Sequence, residues 1–121
     1  MRPADTWICV ADGARAHFYR CDGPGRGVEP ILNYMMVSPN HHHGTQDVVR
    51  FVGRLAVRLD AAAAEQLFEH LLLVAPAGML GALRRILDPH TRDLVCGEVD
   101  KDLTRATPRE LTTHIGDKLP H

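Results

Sequence analysis

Apolar residues fall along this chain in two alternating periods. Leu71-Leu72-Leu73-Val74-Ala75 is an unbroken apolar run closed by Pro76, the pattern of a strand covered on both faces. Past Ala77-Gly78 the spacing changes, and Met79, Leu80, Leu83, Ile86 and Leu87 mark one stripe of a helix. Together they predict the centre of an α/β sheet. Pro76 withholds an amide where the strand stops, and Gly78 permits a tight turn. Upstream, Trp7–Ala11 and Ala14–Tyr19 read as strands joined through Asp12-Gly13, a pair that accepts the positive φ of a hairpin turn. Cys21–Gly27 is turn chemistry, Ile31–Val37 a third strand, and Pro39–Gly44 a loop. Val48, Val52, Leu55, Leu59, Ala63 and Leu67 then recur at helical spacing behind Thr45 as cap and Asp47 in the first turn. A long helix ending near Phe68 is expected.

Downstream, Asp88-Pro89 reads as the N-cap and first-turn proline of a short helix that stops before Gly97, and Glu98–Leu103 as a last strand. Thr107-Pro108-Arg109-Glu110 has the form of a capping box, with Leu111, Ile115 and Leu119 on one apolar face behind it. The order β-β-β-α-β-α-α-β-α predicts an α/β fold, a mixed β-sheet with helices on both faces, similar to the ribonuclease-H-like group. No repeat or long linker divides the 121 residues, so one domain is expected.

Composition narrows the function classes. The 14 basic and 15 acidic residues leave a net charge of -1, which argues against a general nucleic-acid or membrane-surface binder, so any basic site must be local. Cys9, Cys21 and Cys96 show no CxxC spacing, which indicates neither a disulfide framework nor a zinc ribbon and suits a reducing cytosol. The apolar stretch Trp7–Ala11 is too short for a signal peptide or a membrane helix. A cytoplasmic protein without membrane contact is expected. There is no Gly-x-Gly-x-x-Gly, P-loop, Gly-x-Ser-x-Gly or His-Glu-x-x-His pattern, and no cofactor is expected.

Three groups of residues are candidates for chemistry. In the run His41-His42-His43, His41 and His43 can share a metal ion completed from elsewhere; the alternative is a solvated loop. Asp100 and Asp102 would project from the same side of a strand around Lys101, and Asp12 adds a third carboxylate. That is the raw material of a divalent-cation site, or else a turn residue and a solvated pair. Arg50, Arg54 and Arg58 recur every four residues, and with Arg84 and Arg85 they offer a phosphate-binding ridge for structured RNA. The alternative is the ordinary charged exterior of an amphipathic helix, and few aromatic residues are present for base stacking. Cys9 reads as core, and Cys96, beside the negative end of a helix, as a poor nucleophile.

Trp7-Ile8-Cys9-Val10-Ala11-Asp12-Gly13-Ala14-Arg15-Ala16, Leu72-Leu73-Val74-Ala75-Pro76 with Leu80-Gly81-Ala82-Leu83-Arg84, and Glu98-Val99-Asp100-Lys101-Asp102-Leu103-Thr104 resemble three successive signatures of the bacterial host attachment protein family. Between Cys21 and Thr45 the family's longer polar insertion is replaced by a short segment holding the histidines. The resemblance implies a fold like the central domain of archaeal and eukaryotic class-1 peptide-chain release factors, and a link to the ribosome. It implies no catalytic set, and the Gly-Gly-Gln tripeptide of such factors is absent. A chain without an export signal would affect attachment indirectly. The first reading is a non-enzymatic binding protein, with RNA, a ribosomal component or another protein as partner. Its surface would comprise Asp12, Gly13, Arg15, Pro76, Gly78, Asp100, Lys101 and Asp102, because the polar parts of the signatures fall at strand ends and turns. The competing reading is a metal-dependent hydrolase or nuclease using Asp12, Asp100, Asp102 and a loop histidine. A third makes the same segments structural braces.

Overall fold

The computed structural model describes residues 3–23, 25–38 and 44–120. In chain order these form β1 (Ala4–Ala11), β2 (Arg15–Cys21), β3 (Glu29–Pro30), β4 (Met36–Val37), α1 (Thr45–Ala64), β5 (Phe68–Ala75), α2 (Ala77–Ile86), α3 (Pro89–Leu94), β6 (Val95–Asp100) and α4 (Pro108–Ile115). The six strands make one mixed sheet in the order β3-β2-β1-β5-β6, with β4 also pairing with β2. β1 is antiparallel to β2 but parallel to β5, and β5 is parallel to β6.

The apolar run at the sheet centre is buried on both faces, as its pattern predicts. Trp7, Cys9, Leu71 and Leu73 pack with Phe51, Leu55 and Leu59 of α1 and Leu83 of α2. Their neighbours Ile8, Val10, Leu72 and Val74 turn the other way, onto Leu111 and Ile115 of α4. Helices therefore cover both faces. Trp7 is fully buried and forms the hub of an aromatic cluster, with ring centroids 4.9 Å from Tyr34, 5.2 Å from Phe68 and 6.0 Å from Phe18. Among the described residues, no helix is long and apolar enough to cross a membrane.

Three local expectations change, and a fourth holds by other means. Of the strand expected over Ile31–Val37, the pair Met36–Val37 forms as β4, Leu32–Tyr34 is a 3₁₀ turn, and β3 lies before the expected stretch, at Glu29–Pro30. Pro30 has no amide to extend the ladder, and the turn brings the Tyr34 ring against Trp7 and beneath Arg58. The long helix stops at Ala64, short of Phe68, because Gln66 takes φ 58° and turns the chain into β5. Gly44, not Thr45, occupies its N-cap position. Asp88 holds the N-cap position of α3 without a side-chain bond. Instead Asp60 of α1 accepts from the Asp88 amide at 3.1 Å and the Thr91 hydroxyl at 2.6 Å, fastening α3 to α1. The capping box of α4 forms as expected, with Glu110 N–H to Thr107 Oγ1 at 3.1 Å and Thr107 N–H to Glu110 Oε1 at 3.0 Å.

Candidate functional site

Parallel pairing makes β1, β5 and β6 run out on the same side of the sheet. Val10 is level with Val74, and Ala75 with Asp100. Asp12, Pro76 and Lys101-Asp102 therefore follow one another along this carboxyl edge, and Arg15 joins them as the first residue of β2. Open α/β sheets bind ligands at such an edge. Gly78, in the first turn of α2, lines a shallow groove with Val49 and Ile86 between α1 and α2. The three sequence segments thus meet in space.

Two of their carboxylates, Asp12 and Asp102, are already engaged. Asp12 Oδ1 accepts from the amides of Ala14 at 2.8 Å and Arg15 at 2.9 Å, and the Asp12 amide donates to the Arg15 carbonyl at 3.0 Å. This carboxylate, and not an unusual backbone angle, shapes the β1–β2 turn. Gly13 does not take a positive φ, contrary to the hairpin expectation. A Cβ there would lie 3.1 Å from Val48 Cγ2, so a larger residue would have to push aside the Val48 side chain of α1. Asp12 Oδ2 lies 3.7 Å from Arg15 Nε and 3.3 Å from the Thr104 hydroxyl.

Thr104 links the two turns. Its hydroxyl gives its main bond to Asp102 Oδ1, at 2.6 Å, and its amide donates to the same oxygen at 3.1 Å. These two bonds, helped by the nearby charges of Arg105 and Arg15, hold the Asp102 carboxyl below its ordinary value. A carboxylate whose pKa is lower folded than unfolded stabilises the fold above the unfolded value, and the contribution is lost as pH falls through the folded one. Thr104→Val is accordingly expected to return the Asp102 pKa towards that of a free aspartate, read by NMR titration of its side-chain carbon. An unshifted titration would show that Thr104 does not hold this carboxylate. Thr104 was not legible as a site residue, since a threonine past a strand end reads as an ordinary turn.

Other expectations are redistributed. β6 ends at Asp100, so Asp102 lies in the following turn and the two carboxylates do not share a strand face. Lys101 Nζ lies 3.4 Å from His114 Nδ1 of α4. Two members of the arginine ridge act as straps on the segment before α1. Arg58 donates to the Asn33 carbonyl at 3.0 Å and lies over the Tyr34 ring, while Arg54 reaches the Val37 carbonyl at 3.5 Å. Arg50 lines a groove with Asp47 and Ser38. Arg84 is removed from the phosphate surface by a bidentate pair with Glu98, its Nε lying 3.0 Å from Oε2. Cys9 is core, and burial pushes its thiol up to about 12. The Cys96 thiol, just past the C-terminus of α3, is also raised, first by burial and then by the charge of Asp5. His41 and His43 lie outside the described residues.

The amino-acid sequence from residue 33 to 115 matches the family described as "Protein required for attachment to host cells", a match over well more than half of the chain. No curated protein matches. Among solved structures, the fold is similar to the archaeal translation termination factor aRF1, at a TM-score of 0.59 and 12% identity over 88% of this chain and 33% of that one. A second structure, described as an archaeal protein, gives a TM-score of 0.59 and 12% identity over 91% of this chain and 32% of that one. The chain thus spans about a third of the length of these neighbours. At this identity the likeness carries the fold alone.

Proposed function

Because the chain belongs to the family of proteins required for attachment to host cells, we propose that it serves that process as a non-enzymatic binding protein of the cytoplasm. Its 121 residues act as one domain whose carboxyl sheet edge docks structured RNA or a ribosomal surface, so that its effect on attachment is indirect.

One observation carries this reading. Asp12 and one oxygen of Asp102 are engaged by turn amides and by the Thr104 hydroxyl, and Arg15, Lys101 and Arg105 beside them are exposed. Arg15 keeps 45% of its side-chain surface open. An edge that turns its cations outward suits phosphate contacts. The fold shared with an archaeal translation termination factor supports a ribosomal partner over an unrelated RNA. Because Arg54 and Arg58 already hold backbone carbonyls, this edge is favoured over the α1 ridge. The hydrolase reading gains no support, since both oxygens of Asp12 are already engaged by turn amides, Arg15 and the Thr104 hydroxyl.

Filter binding of ribosomes or ribosomal RNA at two salt concentrations tests the proposal. Binding is expected to weaken with salt. Arg15→Gln, Lys101→Gln and Arg105→Gln combined should lower affinity about tenfold or more and flatten the log–log salt slope by roughly 0.9 for each phosphate no longer neutralised. Circular dichroism should be unchanged. Absence of salt-sensitive binding, or undiminished binding by the triple variant, refutes the edge as the RNA surface.

A further inference from the structure

The opposite edge of the sheet, where β1 and β5 begin, carries a second group of side chains. Asp5 on β1 and Glu69 and His70 on β5 each bring one ligand atom within 4.8 Å of the others. Among the described residues, this is the one such group of His, Cys, Asp or Glu. We propose that Asp5, Glu69 and His70 bind one divalent transition-metal ion of the zinc type, held across the first two parallel strands.

The backbone explains why these three converge. Ala4 is level with Phe68, and Thr6 with His70, which sets Asp5 beside Glu69. Neighbouring side chains on a regular strand point to opposite faces, so residues three apart should part company. Yet Phe68 and Leu71 both enter the core beneath α1, and so do Ala4 and Trp7. Between them, Glu69 and His70 on one strand and Asp5 on the other bring their donor atoms together where the two strands begin. Consecutive Glu69 and His70 can therefore address one point, which a regular pleat forbids.

The donor set selects the ion. Two carboxylates balance a double positive charge, and an imidazole nitrogen favours zinc-like ions over calcium and magnesium, which prefer oxygen donors alone. Ligands about 2.0–2.2 Å from a tetrahedral centre sit roughly 3.3–3.6 Å apart. Closing the present spacing to that value needs only small side-chain rotations at residues that are half-buried (Asp5, His70) or exposed (Glu69). Three protein ligands leave the fourth position to water, the pattern of an open site. The site is remote from the carboxyl edge and stands independently of RNA binding there.

His41, His42 and His43 offer zinc another landing place, so the test uses the full chain carrying His41→Gln, His42→Gln and His43→Gln. Calorimetric titration with Zn²⁺ at neutral pH should show near one ion per chain, and Co²⁺ in its place should give the visible absorption of a four-coordinate centre. Asp5→Asn, Glu69→Gln and His70→Gln, each added to that background, should weaken binding about tenfold or more. No saturable binding in the background chain, or an affinity unchanged by His70→Gln, overturns the assignment.

Discussion

Trp7→Ala is expected to remove about 3–5 kcal/mol of stability, the usual cost of emptying a large aromatic site in a well-packed core. For a chain whose total stability is of the order of 5–15 kcal/mol, that brings unfolding within reach of mild conditions. The reason is positional. Trp7 sits on the central strand and touches Phe18 of β2, Phe68 of β5 and Tyr34 of the 3₁₀ turn, so one side chain joins both strand partners of β1 to the segment that precedes α1. Trp7→Phe should behave differently. The indole Nε1 is buried with no hydrogen-bond partner among the described residues, and deleting an unsatisfied buried donor recovers about 1–3 kcal/mol. That recovery offsets much of the lost volume, so a net loss of about 1 kcal/mol or less is expected. Urea unfolding followed by far-ultraviolet circular dichroism separates the cases. Equal losses for the two variants would mean that the indole nitrogen has a partner.

Asp12→Ala is the second large effect, at about 2–3 kcal/mol, because charged acceptors make the stronger hydrogen bonds and two turn amides would lose theirs together. It acts at both ends of a chain-long link, opening the β1–β2 turn and releasing the Thr104 hydroxyl. Asp12→Asn, which keeps an acceptor in the same place, should lose roughly half as much. A double-mutant cycle with Thr104→Val measures the connection directly. A coupling of about 0.5–1 kcal/mol is expected for groups in one hydrogen-bond network. Strict additivity would show that the two turns are held separately.

What the sequence discloses follows from how local each cause is. The run Leu71–Ala75, the stripe of Met79, Leu80, Leu83 and Leu87 and the Thr107–Glu110 box are settled by neighbours a few residues away and form as their patterns indicate, while Ile86, read into the same stripe, is exposed. The break at Leu32–Tyr34 was hidden because the ring that needs it, Trp7, lies far upstream. The arginine spacing on α1 was legible, but the carbonyls of Asn33 and Val37 that occupy Arg58 and Arg54 were not. Gly13 shows the same limit in miniature. Its identity pointed to the right place for a turn and to the wrong reason, since what crowds the position is a methyl group of Val48 on another element. The grouping of Asp5 with Glu69 and His70 depends wholly on which strands become neighbours, and no window of sequence contains it.

The pairing of β1 with β5 also governs synthesis on the ribosome. While translation has not yet passed Phe68, β1 can fold only against β2. Its other flank, with Trp7, Cys9 and Ala11 on one side and Ile8 and Val10 on the other, then has hydrophobic surface and bare amides with nothing to receive them. A nascent or truncated product of that length therefore presents an open, apolar strand edge, a template for pairing with another chain until β5 emerges to cover it.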